Sequence, residues 1–115
     1  MEKVFVYGTL RAGQSNHRLL RQALLLGRCQ LPCGYLLYDF GGYPGAVRQP
    51  AGSALVGEVY EVDSVTFAAL DVLEEYPAVY TREQIETDFG LAWIYLYVRS
   101  VAGLPVIAHG DWCQR

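Results

Sequence analysis

Apolar residues change their spacing along this chain, and each change marks an element. Val4, Phe5, Val6 and Tyr7 form an unbroken β-branched and aromatic run that Gly8 ends, which predicts a strand covered on both faces. From Ser15, a candidate N-cap, Leu19, Leu20, Ala23 and Leu24 recur at helical spacing, and Gly27 stands where a C-cap glycine would. A helix is expected there. The short pieces "RCQL", "GYLLYDF", "GGYPGAVR" and "LVGEVYEV", broken by turn residues, then read as successive strands. In "DSVTFAALDVLEEYP" the period lengthens again: Asp63 or Ser64 can cap, Val65, Ala69 and Leu73 share a face, and Pro77 blocks continuation. This predicts a second, shorter helix ending near Glu74.

"VYTREQIET" and "LAWIYLYVR", separated by "DFG", form an expected hairpin. Alternation in its second arm sets Leu91, Trp93, Tyr95 and Tyr97 on one face and Ala92, Ile94, Leu96 and Val98 on the other. Both faces are apolar enough to be covered. The order of elements therefore predicts an α+β fold: a mixed sheet of five to seven strands curled into a small β-barrel, with helices packed outside. At 115 residues, residues 1–115 are expected to form one domain, as a monomer or small homo-oligomer.

A hydrophobic fraction of 52% with 18% charged residues fits a folded chain rather than a disordered one. The net charge of −3 and the lack of any Lys/Arg block argue against nucleic acid as a partner. No apolar stretch approaches the roughly 20 residues that span a bilayer, and "MEKVFVYGT" lacks a signal peptide's apolar core and cleavage site, so no membrane association and a cytoplasmic location are expected. Cys29, Cys33 and Cys113 are odd in number, and "CQLPC" has neither redox nor zinc spacing, so reduced structural thiols are expected.

The common phosphate-loop, dinucleotide, serine-elbow and zinc-helix motifs are missing. His17 and His109 stand far apart without adjacent ligand patterns, so no metal is expected. What remains is "YGTLRAG" and "LDVLEEYP". Gly8 lets the backbone turn sharply, and successive N–H groups in such a turn make a concave donor site for a carboxylate or oxyanion. The plainer alternative has Gly8 and Thr9 joining strand to loop while Tyr7 packs in the core. Glu74, near a helix C-terminus, faces a macrodipole that would raise its pKa; Glu75 suits a solvated acid, and Asp71 a cap or a water-facing position.

Taken in order, "VYGTLRAGQSNHRLL", "GYPGAV", "GEVYEV", "LDVLEEYP" with "YTR", "AWIYLY" and "HGDW" resemble the gamma-glutamylcyclotransferase-like family, particularly its small bacterial members, over nearly the whole chain. The resemblance implies a small mixed barrel with a cavity at one end, lined by the Tyr7, Gly8, Thr9 and Leu10 loop and a glutamate. In the family's L-D-x-x-E pattern that glutamate is the catalytic acid/base, which carries over to Glu74. Tyr80 is implied beside the substrate; Arg82, on the same strand face, either holds a carboxylate bidentately or pairs with a surface acid. Gly42 and Gly45 either shape the cavity wall or belong to a plain Tyr-Pro turn. The implied reaction closes a γ-glutamyl unit to 5-oxoproline and releases the attached amine, without any cofactor. The competing reading is a non-catalytic module that binds a small carboxylate in the same cavity.

Overall fold

A computed structural model describes residues Met1–Arg115. The strands are β1 (Glu2–Val6), β2 (Leu24–Asp39), β3 (Pro44–Arg48), β4 (Ser53–Val62), β5 (Tyr80–Thr87) and β6 (Gly90–Tyr97). One α-helix, α1 (Ser64–Leu73), lies between β4 and β5, and single 3-10 turns occur at His17–Leu20 and Trp112–Gln114. The strands form one mixed sheet in the order β3-β2-β4-β1-β6-β5, in which only β1 and β6 run parallel.

The sheet curls into a half-barrel. Its hydrogen-bonded ladder ends at β3 and β5, and side chains bridge the gap: Arg48 Nη2 lies 2.6 Å from Glu83 Oε1. Alternation sorts the strand residues into two cores. Phe5, Tyr7, Leu55, Val59, Ala92, Ile94 and Leu96 pack on one face with Ile107 and Trp112 of the C-terminal segment. Val4, Val6, Tyr60, Val62 and Tyr95 pack on the other beneath Leu20 and Leu70. The division expected for β6 is the one observed.

The expected first helix is not formed. Only His17–Leu20 turns, as a 3-10 segment preceded by Asn16, whose side chain makes no capping bond, because Leu20 alone among its leucines is fully buried and Leu24 already belongs to β2. Gly27 is no helix cap; it sits at a register shift of β2, with the Phe89 ring where a Cβ would project. "RCQL" and "GYLLYDF" likewise prove to be parts of one 16-residue strand with irregular pairing between Leu31 and Tyr35.

Helix α1 starts as expected, with the Asp63 side chain accepting from the Thr66 N–H at 2.7 Å. The face differs. Val65 is exposed, whereas Leu70 is buried with Phe67 and Leu73 packed beside it at i, i+3 spacing. The helix ends in a Schellman motif: Tyr76 N–H donates to Asp71 O (3.0 Å) and Glu75 N–H to Val72 O (3.1 Å), with Glu75 left-handed at φ 52°. Glu74 is thereby held at the helix terminus. No helix is long and apolar enough to cross a membrane.

Candidate active site

A cavity of about 310 Å³ opens where β1 leaves the sheet, a size within the usual range for small-molecule sites. Tyr7, Gly8, Thr9 and Leu10 form one wall, Leu73, Glu74 and Glu75 the opposing helix end, and Tyr80 and Tyr95 project from β5 and β6. Gly42, Tyr43 and Pro44 close a further side.

The loop wall is fixed through its carbonyls. Gly8 O accepts from Arg11 N–H at 3.1 Å, Thr9 O from Asn16 N–H at 2.9 Å, and Leu10 O lies 2.9 Å from His17 Nδ1. The N–H groups of Gly8, Thr9 and Leu10 donate to no protein acceptor, and these three residues line the cavity. Buried donors of this kind demand a partner, here water or a ligand. Gly8 is required sterically, since a Cβ there would lie 2.6 Å from Pro44 Cγ. Thr9 Oγ1 accepts from Asn16 Nδ2 at 2.9 Å, which leaves its proton free to donate.

A buried ion cluster anchors this loop from behind. Arg11, 4% exposed, places Nη1 2.6 Å from Asp111 Oδ1 and Nε 3.3 Å from Glu58 Oε2. Glu58 also accepts from Ala12 N–H and the Tyr60 hydroxyl, at 2.9 and 2.8 Å. Three separate sequence segments thus meet at one guanidinium. The arginine of Y-G-T-L-R is structural here and does not line the cavity.

Glu74 receives no hydrogen bond at its carboxylate, and burial raises its pKa from 4.5 to about 7. The cause is desolvation by burial. Tyr7 donates to Tyr95 O at 2.7 Å and accepts from Ala46 N–H at 3.1 Å; Tyr80 donates to Pro44 O at 2.7 Å. Burial, reinforced by charges nearby, pushes both phenols upward, so they stay neutral. Tyr80 therefore offers a ligand an oxygen lone pair rather than a proton.

Six of the seven site residues read from the sequence (Tyr7, Gly8, Thr9, Leu10, Glu74 and Tyr80) come together here. Arg82 lies elsewhere. Its Nε and Nη2 approach Asp71 Oδ1 and Oδ2 at 2.9 and 3.2 Å, and its guanidinium stacks 4.4–4.5 Å from the rings of Phe67, Tyr76 and Trp93. Asp71 correspondingly is neither cap nor free surface acid. Glu75 is exposed, yet it borders the cavity beside Glu74. Gly42 lines the cavity, whereas Gly45 packs against Phe40 and Tyr97. Asn16, Tyr43 and Tyr95 are lining residues that sequence reading missed. Only Tyr95 carried a signal, its shared face with Trp93 and Tyr97. No group of three or more His, Cys, Asp or Glu converges as metal ligands.

The arrangement sets neutral anion donors opposite a single acid that titrates near neutrality. Such a site can move a proton while holding developing negative charge. Comparison with known proteins gives a consistent result. The family model described as "Gamma-glutamyl cyclotransferase, AIG2-like" matches residues 4–114. A relative in Vibrio cholerae is 51% identical over 112 residues, covering 97% of this chain and 96% of its own. The "Gamma-L-glutamyl-butirosin B gamma-glutamyl cyclotransferase" of Niallia circulans is 36% identical, over 86% of this chain and 69% of its own. Among solved structures, protein PH0828 of Pyrococcus horikoshii superposes with a TM-score of 0.85 at 35% identity, covering 99% of this chain and 92% of its own.

Proposed function

Because the chain belongs to the AIG2-like gamma-glutamyl cyclotransferase family, we propose that it cyclises a γ-glutamyl group to 5-oxoproline and releases the amine attached to it. The observation that carries this reading is the pairing, in one cavity, of Glu74 with a pKa of about 7 and the unpaired N–H groups of Gly8, Thr9 and Leu10.

The nucleophile belongs to the substrate, so no Ser, Cys or His nucleophile is needed. With its α-amine neutral, the γ-glutamyl unit folds so that this nitrogen attacks the γ-carbonyl carbon. Glu74 removes a proton from the attacking nitrogen and passes it to the departing nitrogen as the original C–N bond breaks. One carboxyl serves as base and then as acid, which is efficient when its pKa lies near the working pH. The N–H groups of the loop stabilise the oxyanion; loss of one such donor in other enzymes costs about 3–4 kcal/mol of barrier. Tyr80, its proton committed to Pro44, accepts from the substrate amine. Arg82 enters through Asp71 rather than through the substrate. The cavity's fixed shape brings amine and carbonyl together, a contribution of up to about 7–11 kcal/mol in favourable intramolecular cases.

One relative is named for cyclotransfer on γ-L-glutamyl-butirosin B, and the test therefore spans leaving groups of several sizes. Purified protein is incubated with γ-glutamyl amides of n-butylamine, alanine, the lysine ε-amine and an aminoglycoside, and 5-oxoproline is quantified. Turnover of at least one amide is expected, with Glu74→Gln slower by about 10²- to 10⁴-fold and Glu75→Gln little changed. Equal rates for Glu74→Gln and wild type would overturn the assignment of Glu74. Binding of 5-oxoproline with no turnover of any amide would favour the non-catalytic module.

A further inference from the structure

The Asp71–Arg82 pair is a bidentate ion pair beside the cavity whose atoms touch none of the reacting groups of the proposed reaction. Asp71 sits one helical turn before Glu74 and is engaged at both ends. Its main-chain oxygen accepts the Tyr76 N–H that closes the helix terminus, and its carboxylate receives Arg82 of β5 and, at 2.6 Å, the hydroxyl of Tyr95 of β6. Tyr95 in turn accepts from the Tyr7 hydroxyl through its own carbonyl, and Tyr7 accepts from Ala46 of β3. A continuous chain of hydrogen bonds thus runs from the helix end through β6 and β1 to β3. It joins the elements that form the walls of the cavity.

We propose that Arg82, Asp71 and Tyr95 form a positioning device, which holds the last turn of α1 in place so that Glu74 stays inside the cavity facing the donor loop. The proposal rests on the reading of Glu74 as the proton carrier but can be tested without turnover. Three features favour positioning over a simple surface pair. The guanidinium meets both carboxylate oxygens, a geometry that fixes direction as well as distance. It is clamped among three aromatic rings, which removes its freedom to follow a moving helix end. And both Arg82 and Asp71 are mostly shielded, with side chains 17% and 24% exposed.

Glu74 has no protein hydrogen bond of its own to keep it inward. A buried carboxyl without a donor gains by turning toward water, so its placement has to be enforced by its backbone. The Schellman turn, with Asp71 as its acceptor, supplies that backbone, and Arg82 and Tyr95 tie Asp71 to the sheet.

The test reads the Glu74 carboxyl by NMR titration in Arg82→Gln and Tyr95→Phe proteins, with thermal melts to establish folding. The charged or titratable groups facing Glu74 are Tyr7 just after β1, Tyr80 of β5 and Tyr95 of β6, with Glu75 adjacent. Loss of the Arg82 charge alone would raise the carboxyl's pKa. Release of Glu74 to water would lower it, so the two causes have opposite signs. The proposal expects a fall of about one unit or more from about 7 in both variants. A rise, or a change within about 0.3 unit, in folded Arg82→Gln and Tyr95→Phe overturns it. Where an amide of the panel is turned over, both variants should lower kcat about 10-fold with KM little altered. Failure of the wild type to release 5-oxoproline would count against the reaction, while the titration would still decide positioning by itself.

Discussion

Two arginines organise the cavity from opposite sides, and they are built differently. Arg11, behind the donor loop, is almost wholly enclosed and shared by Glu58 and Asp111, which come from β4 and the C-terminal segment. Arg82, behind the helix end, is partly exposed, meets one carboxylate and is stacked among three rings. The first closes the molecule, since it joins parts of the chain 47 and 100 residues apart. The second registers a single helix turn only 11 residues away. Removing a partner from a buried ion cluster leaves charge without solvent, whereas a partly exposed pair loses less because water replaces it.

The largest expected effect is therefore on Arg11. Arg11→Met removes the shared cation from buried Asp111 and partly buried Glu58 and should destabilise the fold by about 3–5 kcal/mol, a large share of a typical domain's 5–15 kcal/mol or so. Urea denaturation measures it; a loss below about 1 kcal/mol would erase the distinction between the two arginines.

Glu74→Gln should do the reverse. The folded-state pKa of Glu74 is raised from 4.5 to about 7, so the native state binds the proton more tightly than the unfolded chain. The Glu74 contribution to wild-type stability consequently falls as pH rises from about 4.5 to about 7 and is constant outside that window. At 1.36 kcal/mol per unit, the shift amounts to at most about 3 kcal/mol. Glutamine removes this penalty. The variant should match wild type in acid and exceed it above neutrality, as melts across the pH range will show.

Arg82→Lys loses the bidentate geometry and the flat stacking surface while keeping the charge. A loss of about 1–2 kcal/mol is expected, smaller than for Arg11, with urea midpoints as the measure. The smallest effect concerns Glu75, whose left-handed backbone at φ 52° suits glycine better. Glu75→Gly should stabilise by up to about 1 kcal/mol; destabilisation would mean that its carboxylate makes a compensating contribution.

The same contrast explains what could be read in advance. Strand residues whose partners are set by alternation, such as Ala92, Ile94 and Leu96 against Trp93, Tyr95 and Tyr97, were legible because the period alone decides their face. The loop at Tyr7 to Leu10 and Glu74 were legible through their local motifs. The segment after Ser15 was not: its leucines satisfy helical spacing, yet Leu24 through Leu31 are taken up by pairing with β4, a long-range choice that overrides local pattern. In α1 the bounds were legible but not the face: Val65 is left exposed while Phe67, Leu70 and Leu73 turn to the core. Arg11 with Asp111 and Arg82 with Asp71 are contacts between elements, and no spacing rule announces them. Asn16 and Tyr43 likewise reach the cavity from loops without periodicity.

The most direct test of the central claim, that Glu74 carries the proton in a water-poor cavity, is the pH dependence of kcat/KM for 5-oxoproline release from a γ-glutamyl amide. With the substrate α-amine required neutral and Glu74 required as a base, the rate should fall tenfold per unit below the amine's pKa of about 8 and steepen toward a hundredfold per unit below about 7, the value to which burial raises this carboxyl. A profile that keeps the tenfold slope of the amine alone down to about pH 5, steepening only at an ordinary carboxylate's value, would contradict the account.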